Sequence, residues 1–431
     1  MKIGIVADDL TGANATGVLL NKQGFTSATV VQNSESDVSI ELDALCIDTD
    51  TRYATDEIVT ERVSEAVQYF HGWGAEIICK RIDSTVRGKI GLEIDTVLNN
   101  IGDESVAIVV GAFPDSGRIA SGGYLLVHGV PVQETDVAKD PVKGIQTSFI
   151  PELIKEQSTH SVGYIGLNHV LNGAKPLAAS ISEQINEKNR IIVIDAVRDE
   201  DIDIIADAMA LIKEVQLVPV DPGPLSAAYA TAYFDQFVEK KKIIITVGSV
   251  TSLSRKQLHY VQKKTNTTPV YISAEKLATL SKWREEVERG TKAALKSMDE
   301  QDVLILTTEL DTGNLVNLKK LAEEQQTTEN VLAKKITDGL AMITRLVMQE
   351  THHIIQGCFT SGGDVTASLC AVTNAAGIEL EEEVFPLAAF GKLIGGEFSG
   401  QPIITKGGLI GNEKAIYDCV KYLRTLHVIK E

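Results

Sequence analysis

A short apolar run over residues 3–7 stops at two aspartates, Asp8 and Asp9. Behind it come Gly12-Ala13-Asn14-Ala15-Thr16-Gly17 and an apolar stripe reaching Leu20. An unbroken apolar run, a small-residue loop and then apolar positions at helical spacing predict strand, loop and helix. The pattern recurs, with β-rich runs at 28–31, 44–47, 77–79, 106–110 and 191–194 separated by helical stretches such as 56–70. Continuous apolar strands alternating with amphipathic helices predict a mostly parallel sheet covered on both faces.

Near residues 216–242 the rhythm changes. Val218-Pro219-Val220-Asp221-Pro222-Gly223-Pro224 leads through a helix-like segment to Glu239-Lys240-Lys241-Lys242. Proline punctuation followed by a charge cluster marks a domain boundary. A second α/β pattern follows, with strands expected at 243–247, 270–272, 303–306, 353–357 and 402–405 and a long amphipathic helix at 331–347. The fold expected is therefore α/β, two domains with mostly parallel sheets, residues 1–235 and 236–431, and an active-site cleft between them. No repeat of 20–50 residues is visible, which excludes solenoids and propellers.

Charge narrows the partners. A formal net charge of -18 over 431 residues repels polyanions, so neither nucleic acid nor an anionic membrane surface is expected as a partner. A small anionic substrate needs only a few local cations. The start MKIGIVADDL carries no signal-peptide pattern and no stretch of about 18 apolar residues occurs, so a cytoplasmic location is expected. The five cysteines, Cys46, Cys79, Cys358, Cys370 and Cys419, have no CxxC spacing, which points to neither a disulfide framework nor a zinc site. His352-His353 would face opposite sides of a strand, and no protein metal ligand set is assigned.

In open parallel sheets ligands bind at the carboxyl ends of strands, so polar residues where a strand stops are the candidates for chemistry. Asp8-Asp9 after the first run could divide the work, one carboxylate facing a substrate hydroxyl and the other capping the helix; both could equally be caps. Lys80-Arg81-Ile82-Asp83-Ser84-Thr85-Val86-Arg87-Gly88 follows the 77–79 run. Its cations offer a carboxylate or phosphate both a bidentate fork and a point charge. Asp48-Thr49-Asp50-Thr51-Arg52 and Gly111-Ala112-Phe113-Pro114 with Gly117-Arg118 are weaker clusters of the same kind.

The second half has a different character. Thr360-Ser361-Gly362-Gly363-Asp364-Val365-Thr366-Ala367 reads as strand end into helix start, which presents backbone N–H groups to an anion, although a capping Asp with turn glycines explains it as well. Neither GxxxxGK[ST] nor GxGxxG occurs. Downstream, Gly391, Gly395, Gly396, Gly400, Gly407, Gly408 and Gly411 crowd together, a density suited to a nucleotide seated between loops, with Lys406 placed to meet phosphates. Gly248-Ser249-Val250-Thr251 is compatible with phosphate or ribose contact.

Taken together these clusters resemble the four-carbon acid sugar kinase family. ADDLTGA at 7–13, Thr51-Arg52, KRIDSTVRG at 80–88, GAFPDSGR at 111–118 and Asp140-Pro141 are similar to its N-terminal signature; GSVT at 248–251, SGGD at 361–364 and TKGGLIG at 405–411 are similar to its C-terminal one. The resemblance implies an ATP-dependent kinase acting on a four-carbon sugar acid such as threonate, erythronate or 3-oxo-tetronate at its terminal hydroxyl, with Mg²⁺ bridging the phosphates. It implies substrate contacts at Asp8, Arg52, Lys80, Arg81, Ile82 and Asp83, with Asp8 or Asp83 as the catalytic carboxylate. Nucleotide contacts are implied at Ser249, Ser361, Gly362, Gly363, Asp364 and Gly407. A homodimer is one admissible assembly; a sugar-acid dehydrogenase or a non-catalytic sensor are the rival readings. Two departures stand out. Val365 replaces a frequent Thr, leaving Thr366 as the nearest hydroxyl, and Val142-Lys143-Gly144 replaces a continuation toward a second proline.

Overall fold

A computed structural model of the chain describes residues 1–31, 41–139, 144–237, 241–248, 251–308 and 316–426. The chain divides into two compact units, Met1–Glu239 and Lys240–Glu431.

In the first unit the sheet strands are β1 (Ile3–Ala7), β2 (Ser27–Val31), β3 (Ala44–Asp48), β4 (Ile77–Arg81) and β5 (Ser105–Val109). After a small antiparallel sheet of β6 (Arg118–Ser121), β7 (Tyr124–Val127) and β8 (Val130–Pro131) come β9 (Val162–Ile165), β10 (Ile191–Ile194) and β11 (Gln216–Asp221). The main sheet has eight strands in the order β2-β3-β1-β4-β11-β5-β10-β9, all of whose pairs are parallel. β1, β3, β4 and β5 are buried along their whole length, which is why they read as unbroken apolar runs rather than alternating ones.

The second unit contains β12 (Lys242–Val247), β13 (Val270–Tyr271), β14 (Val303–Thr307), β15 (Ile355–Ser361), β16 (Gly377–Phe385), β17 (Ala388–Ile394) and β18 (Pro402–Lys406). Its seven strands run β13-β14-β12-β15-β18-β17-β16, with β16 and β17 antiparallel. Ile243, Ile245 and Val247 face a core with Leu258 and Ile416 on one side; Ile244, Leu304 and Leu306 face Leu340 and Ile343 on the other. Each fully buried aliphatic side chain of this kind contributes about 1.5–3 kcal/mol.

The two units share a connection logic that places their sites. In each, the first strand is followed by two strands added on one side, and the fourth strand of the sequence then pairs on the other side, giving β2-β3-β1-β4 and β13-β14-β12-β15. The switch points therefore lie between β1 and β4 and between β12 and β15. There the adjacent connections leave in opposite directions, the arrangement at which open α/β sheets take ligands beyond the carboxyl ends of their strands.

Three sequence expectations are corrected. The proline run at 218–224 is not boundary punctuation: Val218–Asp221 is the end of β11, a central strand between β4 and β5. Pro219 is tolerated because pairing with β4 covers only Val220 and Asp221, beyond the missing N–H. His352-His353 form a 3₁₀ turn before β15 and not its first residues. Part of the glycine density answers to close backbone packing. A Cβ on Gly391 would sit 2.1 Å from the Glu379 carbonyl oxygen, and one on Gly396 would sit 2.4 Å from that of Thr373.

Candidate active site

At the first switch point the ends of three adjacent strands, β3, β1 and β4, bring Arg52, Asp8-Asp9 and Arg81–Asp83 together. Asp9 caps the helix Leu10–Lys22, its Oδ1 accepting from Gly12 N at 2.9 Å. Asp8 is 2% exposed and lies between two guanidinium groups: Arg52 Nε donates to its Oδ2 at 2.7 Å and Arg81 Nη1 to its Oδ1 at 2.9 Å. Arg81 Nη1 also reaches Asp9 Oδ1 at 2.7 Å, and Arg52 Nη2 lies 2.9 Å from the same oxygen and 3.5 Å from Asp83 Oδ1. Each of the three carboxylates faces an arginine, the pairing that offsets the cost of gathering charge away from water.

Arg81 reaches Asp8 because residue 12 has no side chain. A Cβ there would fall 1.9 Å from Arg81 Cζ. Like Arg52 Nη2, Arg81 Nε is buried and has no hydrogen-bond acceptor. A buried unsatisfied donor of a charged group is costly, and a carboxylate arriving at that edge would satisfy it.

Asp83 is otherwise engaged. Its Oδ2 accepts from Thr85 Oγ1 at 2.5 Å and Arg87 Nε at 2.9 Å, and its Oδ1 from Arg87 Nη2 at 3.0 Å. Burial pushes its carboxyl up, but the Arg87 hydrogen bonds, the Arg52 charge and the Thr85 bond outweigh it and hold the group well below the usual carboxylate range. Such a group orients Arg52 and Arg87 and is a poor proton acceptor. Arg52 itself is pushed down by burial and more strongly up by Asp8, Asp83 and Asp9, so it stays charged.

Lys80 lies elsewhere than expected. It is fully buried, with Nζ 3.1 Å from Glu93 Oε2 and donating to Arg81 O at 2.7 Å, beneath the cluster and not at its surface. The Ile82 side chain is also buried, leaving only its backbone for a ligand. Arg118 half-buries in β6, and its cluster follows β5, which β11 separates from β4. Asp140 through Lys143 lie outside the described residues. Two residues that the sequence did not single out, Glu93 and Asp221, are buried here. Asp221 ends β11 and accepts from Gly223 N, Leu225 N and Ser226 Oγ, a helix-start cap.

At the second switch point β15 ends at Ser361, Gly362 has φ +107°, and the helix Gly363–Val372 begins. Ser361 is fully buried and its Oγ has no hydrogen-bond partner, while Gly363 and Asp364 are exposed. No atom lies within 4 Å of where a Gly363 Cβ would stand, so the helix start is open to a ligand. Val365 packs against Gly248, and the Thr366 hydroxyl is spent on Thr360 Oγ1 and Gly362 O, so Thr366 does not stand in for the absent threonine. Ser249 lies outside the described residues.

The loop after β18 completes this site. Lys406 is buried and donates to Gly407 O at 2.9 Å and Ile410 O at 3.2 Å, so it clamps two loop carbonyls. Ser254 Oγ holds Gly408 O at 3.0 Å, and Gln257 Nε2 holds Ile410 O at 3.0 Å and Asn412 O at 2.7 Å. Carbonyls fixed inward leave the half-exposed Gly407 backbone at the loop's surface. Cysteine chemistry is excluded where burial pushes the thiols of Cys46 and Cys358 up to about 12. Among the described residues no group of three or more His, Cys, Asp or Glu side chains could hold a metal ion, and no helix is long and apolar enough to cross a membrane.

Residues 3–229 match the model of a sugar-binding N-terminal domain and residues 244–416 that of a nucleotide-binding C-terminal domain. The chain is 42% identical to a D-erythronate kinase of Heliobacterium modesticaldum, over 98% of this chain and 97% of that protein. It is 28% identical to a D-threonate kinase of Salmonella typhimurium, over 99% of each. A Bordetella bronchiseptica protein solved with bound citrate as a domain-swapped dimer superposes with a TM-score of 0.75 at 26% identity, covering 99% of each chain.

Proposed function

Because this chain belongs to the four-carbon acid sugar kinase family, we propose that it transfers the γ-phosphoryl group of ATP to the terminal hydroxyl of a four-carbon sugar acid, D-erythronate first among the candidates. The observation that carries the acid site is the buried, unsatisfied Arg81 Nε inside an arginine–aspartate cluster at the first switch point. The sugar-acid carboxylate takes that edge together with Arg52, the Ile82 backbone lines the site, and Asp83 holds Arg52 in place. Asp8 is the catalytic carboxylate: its remaining lone pairs orient the attacking hydroxyl. The loose transition state of phosphoryl transfer demands positioning more than a strong base.

ATP is assigned to the second unit, its phosphates on the backbone of Gly362, Gly363 and Gly407 and on Ser361 Oγ, with Ser249 as a further nucleotide contact. Mg²⁺ enters with the nucleotide as part of the substrate, since phosphate oxygens are the hard ligands it prefers; Asp364 is the exposed carboxylate of the loop. For the assembly we read a homodimer, supported by the dimer of the B. bronchiseptica protein.

The test is ADP formation with Mg²⁺ and ATP against D-erythronate, L-erythronate, D-threonate, L-threonate and 3-oxo-tetronate, beside Asp8→Asn. Acid-dependent turnover with one of them, a product phosphorylated at the terminal oxygen by phosphorus NMR, and loss of turnover in the variant are expected. ADP formation that no acid stimulates would sink the reading.

A further inference from the structure

Beneath the arginine–aspartate cluster lies an ion pair that the proposed reaction does not use. Glu93, in the first turn of the helix Ile90–Ile101, and Lys80, in β4, are both buried. Glu93 Oε1 accepts from Thr51 Oγ1 at 2.5 Å, and its Oε2 lies 3.1 Å from Lys80 Nζ. Lys80 Nζ donates also to Arg81 O at 2.7 Å and Val6 O at 3.4 Å. Thr51 Oγ1 is 2.8 Å from Thr49 Oγ1, which is itself 2.8 Å from Ala7 O.

The network thus grips the ends of β1, β3 and β4 at once. It does so next to the two guanidinium groups that matter: Thr51 precedes Arg52, and Lys80 holds the carbonyl of Arg81. The charges reach the site as well. Burial pushes the Glu93 carboxyl up, the Lys80 ammonium pulls it back, and Asp8 pushes it up again, so Glu93 and Asp8 feel each other.

Removing one member of such a pair leaves an uncompensated charge in the interior, whereas neutralising both does not. Asp8 is the carboxylate whose charge Glu93 feels in the wild type. A Lys80 ammonium drawn toward Asp8 would compete with Arg52 and Arg81 for it.

We propose that Glu93 is a positioning residue which, through Lys80 and Thr51, sets the placement of Arg52 and Arg81 for the substrate carboxylate, and that Lys80 is its buried counter-ion and not a substrate contact. The proposal rests on the sugar-acid reading of this site.

Three full-length variants test it: Glu93→Gln, which keeps an acceptor for Thr51, Lys80→Met, and the two combined. Affinity for the acid that the wild type turns over, or D-erythronate if none is turned over, is read by calorimetry, with kcat, KM and the melting temperature alongside. Each single change is expected to weaken acid binding about tenfold or more while leaving ATP affinity unaltered, with the larger part of the kinetic loss in the KM for the acid. The combined variant, uncharged and with the Thr51 bond kept, is expected to return to within about threefold of wild-type acid affinity.

A combined variant that regains its melting temperature but binds acid as poorly as Lys80→Met would overturn the proposal, because Lys80 would then touch the substrate. Wild-type acid affinity in Glu93→Gln would overturn it too. A wild type that binds the acid without phosphorylating it would count against the kinase reading alone, and the affinities of the variants would still decide the role of Glu93.

Discussion

The two switch points arise from the same strand order and are furnished in opposite ways. Between β1 and β4 the strand ends carry charged side chains, three aspartates against three arginines, each group fixed by two or more partners. Between β12 and β15 the strand ends offer backbone and one orphan hydroxyl, with Lys406, Ser254 and Gln257 turned inward to hold loop carbonyls. A small, asymmetric acid needs fixed, directional charges to define which hydroxyl faces the reaction. A polyphosphate is read adequately by N–H groups and a helix start, which cost little reorganisation. The first site should therefore fail through its side chains and the second through its backbone.

The largest effect expected is that of Gly12→Ala. The added methyl group would overlap the Arg81 guanidinium, 1.9 Å from Cζ, and must displace it or the helix start. A displacement of about 1 Å at a reacting centre costs roughly 100-fold, so kcat/KM for the acid should fall at least that far while ATP affinity by calorimetry stays as it was. Parallel loss of ATP affinity would break the separation of the two sites. Next in size is Gly362→Ala. At φ +107° a side chain costs about 1–3 kcal/mol, so ATP affinity should fall about fivefold to a hundredfold with acid affinity unchanged. Ser361→Ala, which removes only the orphan hydroxyl, should raise the KM for ATP by about threefold to tenfold.

This contrast also explains what the sequence disclosed. β1, β3, β4 and β5 are buried on both faces and announce themselves as apolar runs, whereas β16 has exposed residues through its middle, Glu381-Glu382-Glu383 among them, and shows no such run. β11 was hidden by Pro219, whose backbone cost is escaped by short pairing that only the topology reveals. Asp8, Arg52, Arg81 and Asp83 were legible because charged residues at strand ends have few other reasons to gather in an acidic chain. Lys80 was legible as a cation but not in its direction. Residues in a strand alternate sides, so Lys80 and Arg81 point oppositely, and the partner that takes Lys80, Glu93, lies on the next helix. Glu93 carried no signal of its own beyond an acidic residue in a helix's first turn. Lys406 misled for the same reason: a lysine after a strand suggests phosphate, and only its depth shows that it serves carbonyls.

The smallest expected effect separates the sites by pH. For Asp83 the folded state holds the carboxyl well below its ordinary value of about 4, so the stability it contributes is complete above that value and is lost as pH falls from there through the lowered folded-state value. For Lys406 burial lowers the ammonium's pKa. The unfolded chain then holds the proton more tightly, and stability rises as pH climbs toward the ordinary lysine value of about 10.4. Urea midpoints of Asp83→Asn should therefore trail the wild type by a constant margin from pH 5 to 8, narrowing only below about pH 4. In Lys406→Met the wild type should gain on the variant toward alkaline pH. A margin for Asp83→Asn that changes between pH 6 and 8 would mean that its carboxyl titrates where the enzyme works. Asp83 would then return as a proton acceptor, and the first site would no longer be a fixed frame of charges.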